Sequence, residues 1–408
     1  MGVVRFLRDL FFNHTERFFL YIGILHFIAR MVFQFLIKPP IHGAEDLDIA
    51  LHLAEGKGFS IYDRGPTTAK GPFYPLFLAF FLWLGGDPAN LWPPVIVQHF
   101  LLSWMPLLLY QLSNLMLSAQ LGRVVGLLFA FHPSFFYYPT VLENTPLFIF
   151  LTVLWGIGLY KLRMQFQWGW AVFLGLWLGL AWLEKPVALI PMLIAIARTL
   201  RWKEALRLIP FALLVIGAWA LRGYLTFGYP TWTKTYAGQH AFIISWHPKL
   251  AITPKYAVSA EVTRLIDSLF VLPEKQGGPA LEELGRKVLR EKGLLLVAER
   301  TLLNAVIFWW IPPRYWANES IQFWIVRKLP VILVNLLFFL GALYGFKRYK
   351  SFTLYVLTVS ALFTGFYAAN HVLNIRYRLD VEWLQLYLCG VALLELRNKL
   401  KGMPYFRD

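Results

Sequence analysis

Runs of about twenty apolar residues with few charges recur along the chain, and they constrain its fold more than anything else in it. Residues 18–37, 92–115, 143–160, 329–346 and 351–371 are each long enough to cross a bilayer as helix. Hydrophobic residues make up 58% of the 408, beyond what a soluble domain carries, so the class is an all-α polytopic membrane protein. The first run is too long for a signal-peptide core and lacks a small-residue cleavage site, so it is expected to stay as an anchor. The opening MGVVRF lacks the Ser or Thr of a myristoylation signal. A single cysteine, Cys389, excludes disulfides and Cys-ligated zinc or iron–sulfur centres.

The net charge is +16, yet the basic residues form no single patch of the kind that binds nucleic acid. They fall in short clusters between apolar runs, as loops retained on the cytoplasmic side do. Arg5, Arg8 and Arg17 place the N-terminus inside. The chain then descends over 92–115, rises over 122–138, descends over 143–160, rises over 168–183 and descends over 186–198. It rises over 208–224, descends over 329–346, rises over 351–371 and descends over 380–396. About ten spans result, and every basic cluster lands inside. The threading requires 74–86 to be interfacial or half-inserted, and 225–328 to lie outside with 294–311 not crossing. It divides the chain into an N-terminal transmembrane module (1–224, with a first external loop at 38–91), an extracytoplasmic segment (225–328) and a C-terminal transmembrane module (329–408).

That threading gathers acids and bases from five loops at one face. Glu45, Asp46 and Asp48 stand in IHGAEDLDIALHLAEGKGFS, with Leu47, Ala50, Leu51 and Ala54 at the spacing of an apolar helical stripe. The stripe predicts a helix on the membrane surface, ended by Gly56 and Gly58. Glu143 and Lys185 join from later loops, with Arg222 at a span end and Arg376 and Arg378 in RYR. Acids near a helix start also serve its dipole, and cations at span ends also snorkel, so each residue has a purely structural reading beside the functional one. Together, several cations facing a few acids suit a phosphate-bearing substrate beside a general base. Asp46-Leu47-Asp48 is a D-x-D that leaves a divalent metal as an option. His42 and His52 lie nearby without a firm ligand spacing. His132 and His371 read as structural histidines.

Several stretches resemble the bacterial, aminoarabinose-transferase-like members of the dolichyl-phosphate-mannose–protein mannosyltransferase family, within the GT-C glycosyltransferases. LHLAEGKGFS with PTTAKGPFYPLFLAFF is similar to the family's long first external loop. LGLAWLEKP resembles its Gly-Leu-Ala…Thr-Arg-Pro, with Lys185 in the Arg place. AWALRGYLTFGYP and RYRLDVEW resemble two further motifs, with Asp380 in place of a Pro. The matches run from residue 42 to about 385 in family order. The resemblance implies a GT-C fold and transfer of a sugar from a polyprenyl-phosphate carrier to an extracytoplasmic lipid, protein or glycan acceptor, with inversion. It implies a catalytic acid early on the first loop. Counting back from Gly56, that position falls near His42, so Glu45, Asp46, Asp48 and His42 all stay open as the base, with Glu143 as the second-loop acid. It also brings in Lys70, Tyr377 and Glu382 beside the proposed phosphate-binding Lys185, Arg222, Arg376 and Arg378. A transporter or flippase of an anionic prenyl-linked lipid, and a glycan polymerase or ligase, are the competing readings.

Overall fold

A computed structural model describes residues 9–37, 41–42, 44–85, 90–233, 243–248, 253–310, 321–370 and 375–401. Helix dominates it. Seven helical segments among the described residues are long and apolar enough to cross a membrane, as they must be where no water can satisfy the backbone. They involve α1 (Thr15–Ile37), α4 (Trp92–Ser103) continued by α5 (Met105–Met116), α7 (Asn144–Met164), α10 (Ile209–Phe227), α12 (Glu274–Trp310), α13 (Ile321–Arg348) and α14 (Lys350–Asn370). Shorter apolar helices fill the bundle: α3 (Phe73–Gly85), α6 (Ala119–Ala130), α8 (Trp168–Glu184) and α9 (Leu189–Thr199). An 11-residue helix, α11 (Ala260–Phe270), precedes α12.

The last helix, α15 (Ile375–Leu400), is the bundle's centre. Its first turns carry Arg378, Asp380 and Glu382, yet Arg378 through Ala392 are all buried. It packs on α13, α6, α14 and α7, and its polar groups face those helices rather than lipid. The RYR stretch therefore belongs largely to the first turn of a helix and not to a loop. Close approach to α13 needs Gly341, where an added Cβ would fall on the Leu388 carbonyl.

Basic residues of several helices gather at one end of the bundle. Arg163 Nη1 donates to the Thr199 carbonyl at 2.6 Å, Arg198 donates to Ser351 Oγ, and Lys399 Nζ meets the Tyr344 hydroxyl at 2.8 Å. Turns from α7, α9, α13, α14 and α15 thus share a basic end. At the other end, β1 (Ile41–His42) pairs in parallel with β2 (Val141–Leu142), His42 opposite Leu142, and binds the loop after α1 to the turn before α7.

α2 (Ala44–Ala54) lies in that loop. Its apolar stripe packs on protein: of the two docking partners open to it, bilayer and span bundle, the helices supply the contacts. Leu47 and Ala50 are buried against Tyr74, Leu78 and Leu82 of α3 and against Leu142 and Leu147, while Ile49 packs with Phe59, Ile61, Leu183 and Trp219. Of the stripe, only Ala54 is left exposed. The bundle supplied a closer apolar surface than lipid. A carboxylate at Leu47 cannot be buried there unpaired without a cost of several kcal/mol. Leu47→Asp is therefore expected to release α2 and remove at least about 90% of turnover while the spans stay folded, as size-exclusion profile and proteolysis of the 44–70 segment will show.

Length and composition would let α12 cross a membrane. Its last turn, however, is tied to mid-bundle groups: the Trp309 carbonyl accepts from Asn335 Nδ2 at 2.6 Å and from Arg378 Nη1 at 2.7 Å. Asn335 lies about 20 Å up α13 from Arg348 at 1.5 Å per residue. α12 therefore stops well short of the basic end. Its first turn reaches the first external loop, where Glu274 accepts from Thr67 Oγ1 at 2.5 Å, from the Thr68 amide at 2.8 Å and from the Thr68 hydroxyl. Both loops should then share one side of the membrane. In a Cys389→Ala background, Lys57→Cys and Glu283→Cys are expected to react with impermeant maleimide on intact cells, and Lys203→Cys only after permeabilisation.

Candidate functional site

Two of the candidate acids come from α2 and the β2–α7 turn. Asp46 stands in the first turn of α2, where the helix dipole favours an anion. Glu143 stands immediately after β2 at the start of α7, and Tyr138 donates to its Oε2 at 2.7 Å. Tyr74 of α3 packs with Leu47 of α2 and Leu142 of β2, and its hydroxyl donates to Gln98 Oε1 at 2.6 Å. Gln98 in turn donates to the carbonyls of Pro139 and Val141. Burial, followed by the negative fields of Asp46 and Glu143, pushes the Tyr74 phenol well above its ordinary value, so it stays a donor. The β1–β2 pairing and the shared packing of Leu47, Tyr74 and Leu142 bring the two acid-bearing loops side by side.

Asp46 differs from its neighbours in being uncommitted. It is 7% exposed and has no hydrogen-bond or ion-pair partner among the described residues. Glu45 is paired with Lys70 Nζ at 2.6 Å. Asp48 accepts from the Tyr62 amide and lies 3.9 Å from His52 Nδ1. That contact holds Tyr62 at φ 46°, a left-handed conformation costly for a bulky side chain. Asp48 is thus a loop anchor.

The EKP turn contributes two buried charges. Glu184 ends α8 and caps α3, its Oε1 accepting the Phe73 amide at 2.7 Å and the Tyr74 amide at 3.3 Å. Asn144 Nδ2 reaches the other oxygen at 3.3 Å. This carboxylate, which nothing in the sequence marks as a site residue, fixes where Tyr74 stands. Gly71 makes the approach feasible, since a Cβ there would lie 2.6 Å from Glu184 Cδ and 2.9 Å from its Cα. Gly71→Ala is expected to cost about 1–3 kcal/mol by overpacking. Gly217→Ala, with open space around it, should change stability by less than about 0.5 kcal/mol, and thermal unfolding in detergent compares the two.

Lys185 forms a buried ion pair with Asp380 of α15 and donates to Thr145 Oγ1 at 3.2 Å. Tyr367 donates to the second Asp380 oxygen at 3.2 Å. Tyr377 stacks on Tyr367, with ring centroids 4.3 Å apart. Arg378 is buried: Nη2 contacts Glu382 Oε1 at 2.9 Å and Asn335 Oδ1 at 2.8 Å, and Nη1 reaches the Trp309 carbonyl. His132 Nε2 lies 3.5 Å from the same Glu382 oxygen. Both α15 carboxylates thus neutralise cations that the sequence offered as phosphate ligands.

Arg222 of α10 is different. Its Nη2 donates to the Phe59 carbonyl at 2.9 Å and its guanidinium lies over the Phe59 and Trp219 rings, but Nη1 has no hydrogen-bond partner among the described residues. Phe59 and Trp219 pack with Ile49 of α2, which joins Arg222 to the loop that carries Asp46. The side chains of His42 and Arg376, and His371 altogether, lie outside the described residues. Among those described, no three His, Cys, Asp or Glu side chains come together as a metal-binding group.

No protein-family model matches the chain, and no curated protein matches it in sequence. Among solved structures, it is similar to the archaeal oligosaccharyltransferase AglB from Archaeoglobus fulgidus, in complex with an inhibitory peptide and a dolichol-phosphate. The TM-score is 0.49 at 13% identity, over 97% of this chain and 53% of that one. This chain spans about half the length of that protein.

Proposed function

We propose that the protein is an integral-membrane glycosyltransferase of GT-C type. It moves a sugar from a polyprenyl-phosphate donor to an extracytoplasmic acceptor, with inversion. The observation that carries this reading is Asp46, a buried carboxylate with no hydrogen-bond or ion-pair partner among the described residues, whose neighbouring acids are each committed to a partner. In the reaction, the acceptor hydroxyl oxygen attacks the anomeric carbon and Asp46 takes its proton. The bond from that carbon to the phosphate oxygen breaks, and the prenyl phosphate leaves with the electron pair. General-base help of this kind is worth about 10²–10⁴ in rate. A single base on the face opposite the leaving group gives inversion, by analogy with inverting glycosidases.

The leaving phosphate needs donors where its charge grows. Arg222 supplies them from a seat lined by the Phe59 and Trp219 rings, where its Nη1 has no hydrogen-bond partner among the described residues. Lys185 and Arg378 act from behind: Lys185 ties the end of α8 to Asp380 of α15 and Thr145 of α7, and Arg378 ties α15 to Asn335 of α13 and the Trp309 carbonyl of α12. The prenyl chain runs along α3, which packs its Tyr74 face on α2 and exposes Leu76, Phe80, Trp83 and Leu84 outward.

Purified protein in nanodiscs, given prenyl-phosphate-linked sugars and lipid, peptide and glycan acceptors in turn, should release prenyl phosphate in step with a glycosylated acceptor. Movement of the intact donor between leaflets without cleavage would favour the flippase reading instead.

A further inference from the structure

A slot of about 410 Å³ opens at the basic end of the bundle, with none of Glu45, Asp46 or Glu143 in its lining. Its walls come from α5, α7, α9, α14 and α15, and its apolar lining includes Leu112, Phe148, Trp155, Met192, Phe352 and Phe363. On α14 the lining runs from Lys350 to Phe363, about 20 Å at 1.5 Å per residue, which is two thirds of a roughly 30 Å hydrocarbon core. Charge is distributed unevenly along it. Arg198, Arg348 and Lys350 stand at the basic-end mouth together with Ser351. Among the described residues, the one acid in the lining is Asp380, at the inner end, and it is already paired with Lys185.

We propose that this slot is a binding site for an anionic phospholipid of the adjoining leaflet. The phosphodiester sits among Arg198, Arg348 and Lys350, and one acyl chain fills the slot. Charge complementarity picks the head group: a guanidinium fork and an ammonium match phosphate oxygens, and Ser351 adds a hydroxyl. The apolar wall picks a hydrocarbon chain over a soluble phosphate. The lipid-facing sides of two of the lining helices carry Ile190 and Leu193 on α9 and Leu354 on α14, exposed where the second chain would lie. The slot's size suits one chain of ordinary length and not a long polyprenyl tail. Because the inner end abuts Asp380, an occupied slot also braces the wall that holds Lys185 and Thr145 in place.

The test uses the full chain in neutral detergent and native mass spectrometry, with phosphatidylglycerol, phosphatidylcholine of matched chains, inorganic phosphate and a polyprenyl monophosphate as probes. Phosphatidylglycerol should be retained at least about tenfold better than phosphatidylcholine. Arg198→Gln/Lys350→Gln, at solvent-facing positions that leave folding intact, should lower that retention about tenfold or more. Ala195→Phe, which fills the slot and leaves the cations in place, should lower it as well. Equal retention of the two phospholipids, or no effect of the double variant, would overturn the proposal. So would displacement of phosphatidylglycerol by inorganic phosphate, which would reveal a head-group site only, or by polyprenyl monophosphate, which would make the slot a prenyl site.

Discussion

Lys185→Met is expected to destabilise the protein by about 3–5 kcal/mol, the usual consequence of leaving one member of a buried ion pair unpartnered. Asp380 would keep its bonds from Tyr367 and Thr145 but lose the ammonium that neutralises it. Asp380→Leu alone should cost about as much, because it strands Lys185 in the same apolar wall. The double variant Lys185→Met/Asp380→Leu should recover most of the loss, since an apolar pair of similar volume is often neutral or better than the ion pair it replaces. Thermal unfolding of the three proteins in one detergent measures this. The double variant also decides the residue's role. A stable, active double variant assigns Lys185 to architecture; a stable, inactive one assigns it to the donor phosphate.

The same logic applies to Arg378 and Glu382, which flank Asp380 on α15. Together the two pairs explain how a helix that carries so many charges sits at the centre of a membrane bundle. These charges do not face lipid; each meets an opposite charge from the bundle wall or from its own next turn.

Much of this organisation is legible in the sequence. Apolar run length marks the spans because the bilayer thickness is fixed, and basic clusters sort the loops because insertion is biased by Lys and Arg. That sorting alone leads to the expectation that the loops of Asp46 and Glu143 are neighbours, and β1 and β2 pair them. The pairings inside the face do not follow from it. Lys185 with Asp380, and Glu274 with Thr67 and Thr68, join positions nearly two hundred residues apart or more, and no local period encodes them. Hydropathy also cannot separate a lipid-facing stripe from a protein-facing one. For that reason Leu47 and Ala50 read as membrane-docking when α3 covers them. Glu184 escapes a sequence reading because a carboxylate at the end of one helix gives no local sign that it caps another.

The division of labour among the acids is the central claim, and kinetics on Asp46→Asn test it most directly. This change preserves size and removes the proton acceptor. Turnover should fall by about 10² or more with the KM for the prenyl-phosphate donor nearly unchanged, the signature of an interaction made only in the transition state. Glu45→Gln should lose its bond to Lys70 and cost far less, and His42→Ala should leave turnover within a few-fold of normal. Arg222→Lys should raise the donor KM and lower turnover together, because an ammonium cannot reproduce the fork. Near-normal turnover in Asp46→Asn, with the large loss appearing instead in Glu45→Gln or His42→Ala, would contradict the account.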